Sequence, residues 1–368
     1  MHIPRIIHTA DWHLGNNRVP TIDTANAIKK HLLPRLVHND ILFIAGDIFD
    51  GKVSFNSDDA NVILDLFADI IRTCYEYNVI IRILRGTYTH DLHQNNLIKR
   101  LHKKLGIPTD FKLIDTLSIE HIDKYNLNIL YMPDNLPYSN KDSIFDNVRM
   151  LFLANGLKQV DYVVMHGEFD HCAFGQHINQ NAYSYKDFEP LCSKLVLSGH
   201  IHKPYRHKDV IYAGSFNRLS HNEEEAKGFW EIHGKDTTFI INKDATKFIT
   251  VDYTHEKQFD DILEKHNAVA ATFGVEQQGF LRVMITDTNL KNALASYHNV
   301  KFPNIRLSWK QIRVSNENEY LIEKLRNKEA ELLEIPSLKN IAAIVCKHLE
   351  VKGINLNINV VETLINGG

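Results

Sequence analysis

The sequence lacks several features that mark large classes of protein. Its 368 residues contain no apolar run near the roughly 18 residues that a membrane-spanning helix needs, so we expect no membrane segment. The N-terminus shows no apolar secretory stretch, which favours a cytoplasmic protein. The four cysteines have no paired metal-site spacing and are expected to be reduced, buried thiols. Internal repeats and low-complexity tracts are absent too.

An excess of positive charge is also missing. The chain has 42 basic and 45 acidic residues, a net charge of −3. Proteins that wrap DNA alone are usually strongly basic, because neutralising phosphates supplies most of their affinity. The balance therefore argues against a chain that holds DNA by itself. Histidine, by contrast, is abundant at 21 residues, and its placement must decide whether it binds metal.

Short apolar runs alternate with helix-length segments in the first part of the chain. Runs rich in β-branched residues predict buried strands at residues 6–7, 41–45, 79–84, 127–131, 162–165 and 195–197. Amphipathic patterns predict helices at 25–37 and 59–77, and this alternation favours an α/β fold with helices on both faces of a sheet. Closely spaced strands predict a largely antiparallel second sheet from residues 210–213, 228–232, 237–241 and 248–253.

The length exceeds that of one ordinary domain, and the character of the sequence changes twice. Residues 1–250 are predicted to form an α/β two-sheet sandwich flanked by helices. Residues 251–315 again mix helix and strand, which suits a small α+β domain. Residues 316–368 are highly charged and predict C-terminal helices with one apolar face.

Side chains that bind metals follow the ends of five predicted strands. They are Asp11 and His13, then Asp47, then His90 and Asp91, then His166, and last His200 and His202. The carboxyl ends of strands in open α/β sheets are where ligands bind, so we expect these side chains to meet at one edge. A lone histidine after a strand is usually structural, whereas five such strand ends in order predict a site.

The residue types in this cluster fit two divalent cations. Neutral imidazoles suit Mn, Fe, Zn or Ni better than Mg or Ca. Asp47 is the natural bridge, because Gly46 lets the backbone turn tightly beside it. Paired cations lie roughly 3.5–4 Å apart and favour in-line attack of water on a phosphorus ester. His90 would stabilise charge or protonate the leaving oxygen, with Asp91 orienting it.

These motifs resemble those of the calcineurin-like metallophosphoesterases, and within them of the SbcD nucleases. The closer likeness lies in Thr-Ala-Asp-Trp-His-Leu-Gly at 9–15, Gly-Asp-Ile-Phe-Asp at 46–50, Ser-Gly-His-Ile-His-Lys-Pro at 198–204, Tyr-Ala-Gly-Ser-Phe-Asn-Arg-Leu at 212–219 and Lys-Gly-Phe at 227–229. The resemblance covers about residues 9–232. Beyond them, only the order and sizes of the segments are similar.

The resemblance implies a ligand set, a catalytic group and partners. One cation would be held by Asp11, His13, Asp47 and His202. The other would be held by Asp47, His166, His200 and an amide oxygen from the third motif, the one that contains His90. His90 would be the catalytic histidine, and the metals manganese, with magnesium possible. Residues 251–315 would cap the DNA site. The C-terminal helices would bind a coiled-coil ATPase of the SbcC/Rad-fifty type, in a heterotetramer containing a homodimer that degrades double-stranded DNA ends.

The third motif departs from the family pattern. Where the family has Gly-Asn-His-Asp, this chain has Gly-Thr-Tyr-Thr-His-Asp at 86–91, without the ligand asparagine and two residues longer. A hydroxyl is a poorer cation ligand than an amide oxygen. Thr89 or a backbone carbonyl could substitute, water could fill the gap, or the second cation could be weakly held. We favour a working site with lower affinity for that cation.

Two basic stretches are candidates for contacts with DNA phosphates. They are Lys99, Arg100, Lys103 and Lys104 after the third motif, and Lys203 and Arg206 after the last. An exposed helix face or loop explains such charges equally well. Two other functions stay open: a small-molecule phosphodiesterase or protein phosphatase with the same metals, and a non-catalytic scaffold for the ATPase.

Overall fold

The structure, a computed structural model, describes residues 2–134, 136–137, 140–172, 182–273 and 279–310. In that part of the chain the strands are β1 (Arg5–Thr9), β2 (Ile41–Ala45), β3 (Ile80–Leu84), β4 (Phe111–Ile114), β5 (Ser118–Ile122), β6 (Leu127–Met132), β7 (Val160–His166), β8 (Cys192–Gly199), β9 (Tyr205–His207), β10 (Val210–Tyr212), β11 (Gly228–His233), β12 (Asp236–Ile241), β13 (Lys247–Asp252), β14 (Gly279–Met284) and β15 (Ile305–Lys310). The α-helices are α1 (Thr21–His31), α2 (Asp58–Glu76), α3 (Tyr88–Asp91), α4 (Asn95–Leu105), α5 (Lys141–Ala154), α6 (Tyr185–Phe188), α7 (Phe259–Ala271) and α8 (Thr288–Lys301). Short 3₁₀ helices cover Leu33–His38, Asp123–Tyr125 and Asp170–Cys172.

Two large sheets form the body of the fold. The first has the order β12-β11-β1-β2-β3-β4, in which β1 to β4 pair in parallel and β11 is antiparallel to β1 and β12. The second has the order β5-β6-β7-β8-β10-β9, with antiparallel edge strands and parallel pairing between. The carboxyl ends of β1, β2 and β3 therefore share one edge of the first sheet, and those of β7 and β8 share an edge of the second.

The pattern of burial in β2 shows why the sheets stack. All five of its residues are buried. Phe43 and its neighbours on one face pack against the second sheet, through residues such as Tyr131. Leu42 and Ile44 on the other face pack beneath α1 and α2. A strand buried on both faces reads as a continuous apolar run, and the predicted α/β sandwich flanked by helices is confirmed.

The prediction of an antiparallel second sheet from residues 210–253 is wrong. The structure distributes these strands over three sheets: β10 pairs in parallel with β8, β11 and β12 extend the first sheet beside β1, and β13 joins a separate sheet. Spacing along the chain indicates strands but not their partners. Here the segment between β10 and β11 carries the chain from one large sheet to the other.

The separate sheet has the order β13-β14-β15 with parallel pairing, and α7 and α8 lie between its strands in sequence. It begins at Lys247, while the division into domains at 250 and 315 stays a prediction. The predicted tail at 316–368 lies outside the described residues. Among the helices described, none is both long and apolar enough to span a bilayer.

Candidate metal centre

The loops that follow β1 and β2 are joined side by side. The backbone N–H of Asp11 donates to the carbonyl of Gly46 at 3.0 Å, and that of His13 donates to the carbonyl of Asp47 at 3.1 Å. The second sheet meets them there, since the N–H of His200 donates to both carboxylate oxygens of Asp11, at 3.0 and 3.1 Å. The edges predicted to carry the site therefore face each other.

Asp11, His13 and His202 form the first cluster, with one ligand atom from each within 4.8 Å of the others. The Nε2 atoms of His13 and His202 are 3.1 Å apart. The Nδ1 atom of His13 faces a carboxylate oxygen of Asp50 at 3.2 Å, and that of His202 faces Glu223 at 3.1 Å. Ionised carboxylates only accept hydrogen bonds, so each Nδ1 carries a proton.

This assignment leaves two Nε2 lone pairs pointing at each other. Neutral imidazoles in that arrangement repel, unless a cation or a proton lies between them. Asp11, with 0% of its surface exposed, adds negative charge at the same point. Two oriented imidazoles and a carboxylate form a donor set that transition-metal ions prefer. The residues present therefore fit a divalent cation.

Asp47, His166 and His200 form the second cluster. His166 donates from Nδ1 to the carbonyl of Ala45 at 2.7 Å, so its Nε2 points towards Asp47 at 3.3 Å. Burial alone would lower the pKa of His166, but the charge of Asp47 outweighs it and raises the pKa to about 10. Burial and the charge of His166 lower the pKa of His200, which favours the neutral form that binds metals.

Asp47 lies between the two clusters. Its Oδ2 atom is 3.3 Å from Nε2 of His166 and 4.0 Å from Nε2 of His13. Burial raises the pKa of Asp47, yet the charge of His166 lowers it well below the ordinary range. A buried carboxylate held ionised between two sets of imidazoles is placed as a bridging ligand would be.

The backbone is strained at these positions. Asp11, His13, Asp47 and His200 have φ angles of +50°, +46°, +49° and +89°. The left-handed region costs a non-glycine residue about 1–2 kcal/mol, and such strain concentrates at functional sites. Gly86 allows a close approach: a Cβ atom there would lie 2.1 Å from the backbone nitrogen of Asp47.

Comparison with known proteins identifies the family of this chain. Residues 4–204, more than half of the chain, match the calcineurin-like phosphoesterase family. The chain belongs to this family. It is also similar to the SbcD subunit of the nuclease SbcCD from Staphylococcus saprophyticus, with 26% identity over 294 residues, covering 71% of this chain and 75% of that protein. The crystal structure of TT1561 from Thermus thermophilus aligns with 66% of this chain and 100% of its own, at a TM-score of 0.39 and 9% identity, too remote to add to the assignment.

A calcineurin-like phosphoesterase is a metal-dependent phosphoester hydrolase, and the Asp and His side chains of these two clusters could hold divalent cations. His90 lies beside them, with its ring edge-on to that of His13 at 4.7 Å between centroids. Its Nδ1 donates to Oδ1 of Asp50 at 3.1 Å, the same oxygen that His13 reaches. A hydrogen bond from His13 lowers the pKa of Asp50, which keeps it ionised between the two rings.

Asp50, rather than Asp91, therefore orients His90. Asp91 is fully buried and accepts four hydrogen bonds, from the backbone N–H groups of Ile48, Phe49 and Gly86 and from the side chain of Asn95. These contacts tie the loop after β2 to the turn that carries His90. The expectation that Asp91 orients His90 is wrong, because its oxygens accept from three backbone N–H groups and from Asn95. Asp50 ends the Gly-Asp motif, a signal that the sequence already contained.

The side-chain hydroxyl of Thr87 lies beside the second cluster. This hydroxyl lies 3.3 Å from Oδ2 of Asp47 and 3.3 Å from Nε2 of His166, and the N–H of Thr87 donates to Oδ1 of Asp47 at 2.6 Å. Thr89, the expected substitute for the family's asparagine, is exposed. Thr87 directly follows Gly86, as the asparagine does in the family pattern, so the two additional residues fall after the ligand position.

This geometry makes a prediction for Thr87→Asn. The amide oxygen should replace a poor ligand with a better one and tighten the cation site of Asp47, His166 and His200, on the order of tenfold or about 1.4 kcal/mol. Manganese titration of the metal-free protein measures it. Thr89→Asn is the matched control and should change nothing. Equal, tight binding at two sites in the native chain would contradict the expected weak site.

The six basic residues proposed for DNA differ in their surroundings. Lys99, Arg100, Lys103 and Lys104 are exposed on α4, and among the described residues none of them joins an ion pair. Arg206 instead donates to the carbonyls of Lys208 at 2.9 Å and Lys235 at 3.1 Å, so these hydrogen-bond donors of its guanidinium group are occupied within the fold. Lys203 is exposed next to His202. The α4 residues are the better candidates for phosphate contacts.

Proposed function

We propose that this phosphoesterase is a manganese-dependent DNA nuclease that hydrolyses phosphodiester bonds. The observation that carries the metal centre is the pair of facing Nε2 atoms in His13 and His202, each oriented by a carboxylate on its Nδ1. Histidine-rich ligand sets favour manganese over magnesium. The choice of DNA is supported by the similarity to the SbcCD nuclease.

The residues of the chain have separable roles in this proposal. Two divalent cations, when bound, would polarise the phosphoryl oxygens and make an attacking water more acidic. Asp11, His13 and His202 would hold one cation, Asp47, His166, His200 and Thr87 the other, with Asp47 shared. The Nδ1–H of His90 donates to Asp50, so Nε2 faces the substrate side and, when the ring is doubly protonated, would give its proton to the leaving oxygen.

The similarity to the SbcD subunit also supports the proposal of an ATPase partner. Because the staphylococcal relative is a component of SbcCD, we propose that this chain also works with an SbcC/Rad-fifty-type ATPase on double-stranded DNA ends. The net charge of −3 fits a division of labour in which the ATPase supplies much of the DNA affinity. The homodimer within a heterotetramer stays part of this proposal.

The first test is digestion of linear duplex DNA with manganese, with and without the ATPase. His90→Ala should lower the rate by about 10²–10⁴-fold, the usual contribution of a general acid. The side chain of His90 is 37% exposed, so its loss should not disturb folding. His93→Asn is the control, since His93 is an exposed histidine on the same turn with φ +62°, which asparagine tolerates.

Each competing function has its own outcome. A native chain that carries manganese but cleaves a phosphomonoester faster than DNA would be a small-molecule phosphoesterase. A non-catalytic scaffold, which Thr87 in place of an amide ligand favours, predicts equal DNA cleavage by the native complex and the His90→Ala complex.

A further inference from the structure

The segment between β10 and β11 lies directly behind His202. Its residue Glu223 accepts a hydrogen bond from Nδ1 of His202 at 3.1 Å. The other oxygen of Glu223 accepts from the N–H of Leu219 at 3.2 Å, and the hydroxyl of Ser215 lies 3.3 Å from it. These contacts fix the orientation of the Glu223 carboxylate relative to the imidazole of His202.

Lys227 closes this arrangement into a ring. Its Nζ atom is fully buried and lies 2.9 Å from Glu223, 2.7 Å from Glu225 and 2.9 Å from the carbonyl of His202. These three acceptors match the three donors of an ammonium group. Lys227 therefore holds both the carboxylate that touches the ring of His202 and the backbone of the same residue.

Stability alone does not explain such a network. Burying an ion pair costs about as much in desolvation as it returns, and apolar residues of similar size often serve as well. What the ring of contacts supplies is a defined orientation and tautomer for His202. At the second cluster, the corresponding hydrogen bond from His166 goes to a neutral backbone carbonyl, that of Ala45.

We propose that Glu223 and Lys227 are positioning residues that hold His202 with its Nε2 lone pair towards Asp11 and His13, and so set the affinity of that cation site. This inference rests on the metal centre proposed above. A carboxylate on the remote nitrogen also makes an imidazole a more basic ligand. The effect should fall on one cation site, because neither residue contacts Asp47, His166 or His200 in the part of the chain described.

The test is a manganese titration of the full, metal-free chain by calorimetry. Glu223→Ala should weaken one of the two sites about 10–100-fold and leave the other unchanged, the usual cost of removing such a support. Glu223→Gln keeps an acceptor without the charge and should lose less. Glu224→Ala is the control, because Glu224 is an exposed neighbour of equal charge.

Ring-nitrogen NMR of the metal-free protein provides a second readout. His202 should show the Nδ1-protonated tautomer in the native chain and in Glu223→Gln, and a mixture in Glu223→Ala. If Glu223→Ala does not fold, Glu223→Gln decides the question through its affinity. Unchanged affinities in a folded variant would overturn the inference alone. A native chain that binds no divalent cation would overturn the metal centre together with it.

Discussion

Asp47→Asn should abolish phosphodiester hydrolysis, with a loss of at least about a thousandfold. Asp47 is the carboxylate between the two clusters, and removing its charge weakens both cation sites at once. Cations contribute several kcal/mol to such reactions, and each 1.36 kcal/mol is a factor of about ten in rate. The measurement is the rate of DNA cleavage at saturating manganese, together with the number of cations bound.

The asparagine variant is suited to this test because it should fold. Asparagine tolerates the left-handed conformation of residue 47, where φ is +49°, and it keeps an oxygen for the N–H of Thr87. Asp59→Asn, at an exposed aspartate on α2, is the matched control and should behave as the native chain. Two tightly bound cations in Asp47→Asn would show that Asp47 is not the shared ligand.

The elements that the sequence predicted well are those with an uninterrupted local pattern. The strand at 41–45 has the predicted bounds, and the helix predicted at 59–77 is α2, Asp58–Glu76. A single helix was predicted at 25–37, but α1 ends at His31 and a 3₁₀ helix with Pro34 near its start follows, because proline lacks the N–H that would continue an α-helix. Local signals thus determine where an element lies.

Local patterns do not predict which strands pair with each other. β11 lies far from β1 along the chain, yet Ile232 pairs with Ile6, and no local pattern encodes that partner. The candidate site shows the same division. Asp11, Asp47 and His166 lie at or just after strand ends, where the sequence predicts them, whereas the link from Glu223 to His202 depends on how the segment between two sheets folds back.

Arg82 is a further residue that local patterns do not explain, a cation within the buried run of β3. Its side chain is 2% exposed and pairs with Glu120 of β5 at 2.7 Å and with Asp110 at 2.9 Å. Glu120 also accepts from the hydroxyl of Tyr131 at 2.8 Å. The pair joins a strand of the first sheet to an edge strand of the second, so its loss should affect the whole sandwich.

Arg82→Met should lower the free energy of unfolding by about 3–5 kcal/mol, because it leaves Glu120 without its buried partner. Urea unfolding of the metal-free chain, followed by tryptophan fluorescence, measures this loss. The double variant Arg82→Met/Glu120→Gln should recover most of it, since the neutral amide still accepts from Tyr131. Arg72→Met removes an exposed pair with Asp69 and should cost at most about 1 kcal/mol. A loss in Arg82→Met no larger than that would contradict the role of the buried pair.

The Arg82–Glu120 pair also predicts how the loss of unfolding free energy in Arg82→Met depends on pH. Burial alone would raise the pKa of Glu120, but hydrogen bonds from Arg82 and Lys112 outweigh it and lower the pKa to about 2. A carboxyl whose pKa is depressed in the folded state stabilises fully above its ordinary value of 4.5, and that stabilisation is lost as the pH falls through about 2. The difference in unfolding free energy between the native chain and Arg82→Met should therefore be constant near neutral pH and shrink on acidification below about pH 4. A difference that stayed constant down to about pH 2 would mean that the ionised form of Glu120 is not what Arg82 stabilises.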